Sequence, residues 1–362
     1  MKKRYIAWIM ILSILVLGRK ADVMAKGSLN KPLGVLANGV NDQIVLSWEV
    51  VDGAEGYEVF EKTEETGVFL KIKKTKECRL ILKNRKRGNV YQYKVRAYKK
   101  KGKEKHSYSS FGDVAQTRLS KDSTSTIKNF LTTALTPVGS TMYIWGGGWN
   151  KADTGAGTDG LRIGMNPAWR SFCNKQKSSY NYRNHRFAFG KGLDCSGFVG
   201  WSIYNINKTK NGKAGEGYVI KASKAASTYA KYGWGTYKKA RKVKDWKAGD
   251  IMSSSTHVYI VIGSCPDGSI VLLHSSRVGV CLSGTPNKKG QTNSEAVKLA
   301  KKYMKRYPSW YKRYPSCKRD TNYLTQYAQF RWKTGKGELM SDPDGYQNKS
   351  AKQVLKDLYS SK

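Results

Sequence analysis

The sequence predicts two folded parts, an all-β sandwich followed by an α+β domain. Three observations predict it. Between residues 43 and 100, short runs alternate apolar and polar positions and are separated by turn residues. A polar stretch, SKDSTSTIK (120–128), then breaks the pattern. Beyond it come a helical run starting at Cys195 and two apolar strand-like runs, HVYIVI (257–262) and SIVLLH (269–274), each carrying a histidine at one end. The 362 residues suffice for two or three domains and a sizeable core.

The N-terminus narrows the address. MKKRYIAWIMILSILVLG opens with Lys2, Lys3 and Arg4 and stays apolar from Ile6 to Gly18; ADVMA then places Val23 and Ala25 where a cleavage site needs small side chains. This is the pattern of a secretory signal peptide over 1–25. The run is short for a transmembrane helix, although Arg19 and Lys20 leave an uncleaved anchor open. The expected location is secreted, extracellular or cell-wall associated, with no stable membrane insertion after cleavage. A formal net charge of +40 calls for an anionic partner. Export makes an envelope polymer the expected one and disfavours nucleic acid as the primary partner. The chain is expected to act as a monomer.

The sandwich is expected over 30–118. QIVLSWEVV (43–51), GYEVFEKT (56–63) and VYQYKVRAYKK (90–100) are its clearest strands, with turns at VDGAEG and NRKRGN. Tyr91, Tyr93, Val95 and Ala97 share one face of the last strand. The segment resembles a fibronectin type III domain, an immunoglobulin-like sandwich, with Trp48 as its core tryptophan and Tyr91 at its tyrosine corner. It carries no chemistry and is expected to be a spacer or docking module. A polar linker is expected over 119–128, and TIKNFLTTALTPVG opens the second part as a helix.

Six cysteines are scattered along the chain, and no CxxC pair occurs. Mostly free thiols are expected, with Cys265–Cys281 and Cys173–Cys317 as the pairs to consider for disulfides. Cys78 completes the set. With only four histidines, a Cys/His zinc site has little support. The Asp-rich turn near residue 342 is too short for a calcium loop. No metal or organic cofactor is implied.

Cys195 lies in GLDCSGFVGWSIYN (192–205). It is a core residue, half of a disulfide, or a nucleophile. Val199, Ile203 and Ile206 make one helical face apolar, so Cys195 stands at a helix N-terminus, where free amides and the dipole favour a thiolate and can hold an oxyanion. If GSCPDG (263–268) is a six-residue turn, His257 faces His274 directly across the ladder; a tighter turn shifts the register. His257 would take the thiol proton and His274 would orient its ring. Such a pair can rest as thiolate and imidazolium.

DCSGFV (194–199), GDI…HVYIVIG (249–263), IVLLHSS (270–276) and YIWGGG (143–148) resemble, in order and over about 135 residues, the NlpC/P60 cysteine peptidases. The resemblance implies a papain-like α+β fold over 129–362, with Cys195 as nucleophile, His257 as base and His274 as the third polar residue. It implies substrate contacts for Tyr143, Asp194 and Ser196, and Trp145 falls in the same motif. It further implies a peptidoglycan hydrolase that cuts stem peptides at the γ-D-glutamyl–diamino acid bond through a Cys195 thioester. An N-acetylmuramoyl-L-alanine amidase or an interpeptide-bridge endopeptidase would use the same residues.

Two features depart from the pattern. An insert (149–192) separates YIWGGG from the cysteine block and is expected to form a lid or wall; His185 within it reads as a surface residue. Tyr259 stands where a glycine is common and is expected to narrow the site. The basic aromatic extension (285–362) contains LAKKYMKRYPSWYKRYPSCKR (299–319), with eight basic and five aromatic residues and no acid. It is expected to be an amphipathic helix plus turns on a solvated face; adhesion to wall polymers or a nucleic-acid surface are its other readings. A non-catalytic wall-binding or adhesion protein is the competing class of function.

Overall fold

The computed structural model describes residues 28–102, 105–149, 159–188, 190–207 and 217–360. The expected signal peptide and the start of the insert lie outside these. Among the described residues no helix is long and apolar enough to cross a membrane.

The first part is a two-sheet β-sandwich. Its strands are β1 (Leu36–Val40), β2 (Gln43–Ser47), β3 (Gly56–Thr63), β4 (Leu70–Thr75), β5 (Arg79–Leu82), β6 (Val90–Lys101), β7 (Lys105–Tyr108) and β8 (Ala115–Arg118). One sheet runs β1-β2-β5 and the other β4-β3-β6-β7, with β8 also paired to β6. Strand alternation on β6 drives Tyr91, Tyr93, Val95 and Ala97 into the core beside Trp48. The Tyr91 hydroxyl donates to the Lys86 carbonyl at 3.1 Å, which closes a tyrosine corner. His106 lies on β7 rather than in a loop and packs edge-on against Tyr98.

The second part comprises β9 (Ser125–Thr126), α1 (Ile127–Leu135), α2 (Pro167–Asn174), α3 (Cys195–Asn207), α4 (Ala225–Lys231), β10 (Gly235–Lys238), β11 (Ile251–Ser253), β12 (Val258–Ser264), β13 (Ile270–Ser276), β14 (Gly279–Gly284), α5 (Glu295–Met304), α6 (Pro308–Arg313), α7 (Asn322–Thr325), β15 (Ala328–Trp332), β16 (Met340–Ser341) and α8 (Ala351–Leu358). A six-stranded sheet runs β10-β15-β11-β12-β13-β14, antiparallel at every pairing. α3 packs on α1 and on β12 and β13. It is buried on nearly every side, and its buried Ser202 and Asn205 are hydrogen-bonded to backbone carbonyls. The expected α+β arrangement, a cysteine-bearing helix on an antiparallel sheet carrying both histidines, is present.

Three expectations need correction. The 119–128 segment is not a loose linker. Its polar side chains bond within the fold: Ser120 Oγ lies 2.8 Å from Ser341 Oγ, Arg87 donates to the carbonyls of Ser120 and Ser123 at 2.8 Å each, and β9 pairs with β16. Nor is the sandwich a free spacer. Leu36 of β1 is buried in the core of the second part, Thr133 donates to Asn38 at 2.8 Å, and Arg170 pairs with Glu49 at 3.0 Å. The 299–319 aromatics, finally, do not form a solvated patch. Tyr303, Trp310 and Tyr314 are buried, so they stabilise the core and are not displayed to a polymer or nucleic acid.

The hairpin carrying the histidines also differs from expectation. Its turn is tight: the Gly268 amide donates to the Cys265 carbonyl at 2.9 Å. Ser264 pairs with Ile270, where a six-residue turn would have paired His257 with His274. That odd offset alone would place the two histidines on opposite faces. A bulge between Val261 and Gly263 corrects the parity, so that Ile260 pairs with Leu273. Carried one residue on, His274 lies beside Tyr259, and His257 is its diagonal neighbour on the same face.

Candidate active site

Cys195 begins α3, and Asp194 caps it. One Asp194 oxygen accepts from the Gly197 amide at 2.6 Å; the other accepts from the Gly146 amide at 3.2 Å and Trp149 Nε1 at 3.1 Å. The carboxylate therefore clips the YIWGGG segment to the helix, and a substrate contact would have to displace one of these bonds. Glycines make the clip fit. A Cβ on Gly197 would lie 1.9 Å from the Gly147 carbonyl oxygen, and one on Gly148 would lie 2.6 Å from Gly197 Cα. Ser275 of β13 donates to the Leu193 carbonyl at 2.7 Å and ties the strand of His274 to the turn before Cys195.

The two histidines meet. His257 Nε2 lies 2.8 Å from His274 Nδ1, with ring centroids 5.0 Å apart. This leaves Nδ1 as the His257 nitrogen available to a thiol. Cys195 comes near Val258, the residue after His257, and its sulfur lies 3.9 Å from Ser196 Oγ. Among the described residues no hydrogen bond joins the thiol to either ring.

Cys195 and His274 are buried and His257 is half-buried, and desolvation directs their shifts. Burial pushes the Cys195 thiol up to about 12, and the Asp194 carboxylate pushes the same way. Burial also lowers His257 to about 3, with the Arg319 guanidinium adding to it. His274 is held well below the usual imidazole range by burial, then by Arg319 and His257. Desolvation thus acts on both groups against the thiolate–imidazolium pair, opposing the helix terminus. Asp194 is itself raised to about 6 by burial, against the bonds it accepts.

Tyr143 lines the site, its hydroxyl held protonated by burial and by the nearby Cys195 and Asp194. Trp145 is 43 % exposed. The insert folds as a wall beside both. Tyr182 packs edge-on to Tyr143 and stacks on Trp145, and the Phe187 amide donates to the Trp145 carbonyl at 2.9 Å. His185 stacks on Tyr180. α2 anchors the wall, with Trp169 buried edge-on to Trp201 of α3.

The extension supplies residues that sequence reasoning missed. Tyr323 packs edge-on against both histidines, and Tyr327 against His257. Arg319 Nε donates to His274 Nε2 at 3.2 Å, and Ser283 Oγ lies 3.1 Å from the same nitrogen. Tyr259 does not narrow the cleft: it is buried and its hydroxyl donates to the Tyr323 carbonyl at 2.5 Å, fixing the loop that covers the histidines. No local motif announces Arg319, because the fold alone brings it to the site.

All six cysteines are free. Among the described residues, Cys265, Asp267 and Glu295 cluster with metal-type donors. The Asp267 oxygens already accept from Ser269 and from the Glu295 amide at 2.5–3.0 Å, so the cluster is a turn and helix cap.

No protein-family model matches the chain, and no curated protein matches it. Solved structures of fibronectin type III domains do. A fibronectin type III-like protein from Clostridium thermocellum matches at 20 % identity, over 26 % of this chain and 97 % of its own, with a TM-score of 0.23. The domain of human fibronectin type III domain containing protein 3 matches at 18 % identity, over 28 % and 94 %, with a TM-score of 0.23. These domains match about a quarter of this chain, and the α+β part carries the candidate site.

Proposed function

We propose that the chain is a secreted cysteine peptidase of NlpC/P60 type that cuts peptidoglycan stem peptides, at the γ-D-glutamyl–diamino acid bond. The observation that supports this reading is a His257–His274 pair held at 2.8 Å, at the strands on which the helix headed by Cys195 packs. The +40 charge supports retention on anionic wall polymers.

In this mechanism His257 removes the thiol proton and the Cys195 sulfur attacks the amide carbon. The oxyanion is held by amides at the start of α3, with the Tyr143 hydroxyl as a further donor. The intermediate collapses to a thioester, and the leaving amine takes the proton from His257. Water, deprotonated by His257, then attacks the thioester and releases the carboxylic acid and the thiol. His274 orients the His257 ring throughout.

Mass spectrometry of defined muropeptides, incubated with residues 26–362 and with Cys195→Ala, tests this. New fragments with the intact cysteine alone are expected, and their masses name the bond. A folded protein with a free thiol and no cleavage would reject the proposal.

A further inference from the structure

We propose that Arg319 is a positioning residue that latches the histidine pair in a tautomer unable to accept the Cys195 proton, and that the thiol is activated only when Arg319 lets go of His274. The inference rests on the Cys195–His257 pairing proposed above and adds its control.

The argument follows the hydrogens. An arginine Nε–H can only donate. At 3.2 Å it donates to His274 Nε2, so that nitrogen presents a lone pair. A neutral His274 then carries its hydrogen on Nδ1, which lies 2.8 Å from His257 Nε2 and must donate to it. His257 Nε2 is therefore the acceptor, and the hydrogen of a neutral His257 sits on Nδ1, the nitrogen left for the thiol. In this state His257 shows Cys195 an N–H and has no lone pair there with which to act as base.

Activation needs the opposite set. With a lone pair on His257 Nδ1, its hydrogen moves to Nε2 and donates to His274 Nδ1. The His274 hydrogen must then sit on Nε2, where Arg319 stands. The latched and active states are mutually exclusive while that bond holds.

The surroundings do not relieve the conflict. His274 is faced by His257, by Cys281 and Ser283 of β14, and by Tyr323 and Arg319; His257 is faced by Tyr323 and Tyr327. Asp320 acts on Tyr323, and no carboxylate is hydrogen-bonded to either histidine among the described residues. Ser283 can switch between donor and acceptor, so it serves either tautomer. Arg319 alone has a fixed role. It forms no ion pair among the described residues, its Nη1 donates to the Lys318 carbonyl at 2.8 Å, and it is half-exposed.

Nitrogen NMR of the full chain with labelled histidine reads the tautomers directly, with His257→Gln and His274→Gln assigning the signals. Hydrogen on Nδ1 of both rings is expected at neutral pH, and His257 protonated on Nε2 would overturn the proposal. In Arg319→Leu, iodoacetamide should alkylate Cys195 about tenfold faster at pH 7, with a midpoint about one unit lower. An unchanged profile in a folded variant would also overturn it. If that variant does not fold, the wild-type tautomers decide. Neither readout uses peptidoglycan, so failure to cleave muropeptides and failure of the latch are separate results.

Discussion

His257 and His274 bond at 2.8 Å although neither lies opposite the other in the ladder. The tight turn offsets the strands by an odd number, and the bulge at Val261–Gly263 makes the offset even again. The pairing of the two rings thus depends on one extra residue in β12.

Loss of the second ring should act on turnover. His274→Ala is expected to lower kcat on muropeptides by about 10²–10³ and to change KM by less than about threefold. His274→Gln, whose amide oxygen can still accept from His257 Nε2–H, should lose less. Steady-state kinetics separate these; a large KM change with intact kcat would assign His274 to binding.

Buried His274 and half-buried His257 make stability fall in acid. His257 titrates near 3 in the fold against 6.5 unfolded, and His274 is shifted the same way. Between these values the unfolded chain binds more protons, so stability falls as pH drops below 6.5, by up to about 1.4 kcal/mol per unit per histidine. Asp194, raised to about 6, opposes this, since its fold binds the proton more readily. Urea midpoints from pH 7 to 4.5 should fall, and His257→Gln should flatten the fall. A steeper slope in that variant would contradict the burial argument.

Asp250 is fully buried and bonded to Arg331 at 2.7 and 2.9 Å. Arg331→Met leaves that carboxylate without its cation and should cost about 3–5 kcal/mol. Adding Asp250→Leu should recover part of the loss. Equal midpoints for the single and double variants would show that the pair is not coupled.

The sandwich and the α+β part should unfold together. Leu36 bridges them, and Leu36→Ala should cost about 2–4 kcal/mol. Calorimetry is expected to give one transition in the wild type; two separated transitions would mean that the interface is weak.

The local signals were readable in the sequence. Strand alternation gave the sandwich, and the apolar face of 195–207 gave α3 with Cys195 at its head. Both histidines were placed on adjacent strands for the same reason. The bulge left no trace, because Gly263 reads as the start of the turn; in the fold it lies within β12, where a Cβ on it would come 2.9 Å from Ala351 Cα of α8. Arg319, Tyr323 and Tyr327 left none, since their contacts cross long stretches of chain. Charge and aromatic content drew attention to 299–319 as a surface, whereas burial of its rings makes it part of the core.

β15 lies between β10 and β11, yet it follows both, and all of β12–β14, along the chain. A nascent chain therefore leaves the ribosome with a vacancy in its sheet. Cys195, His257 and His274 emerge before that vacancy is filled, and Tyr327 and Arg331 arrive only with the strand that fills it. Such late, long-range closure is slow. Synthesis order alone thus delays completion of the candidate site until β15 has been made.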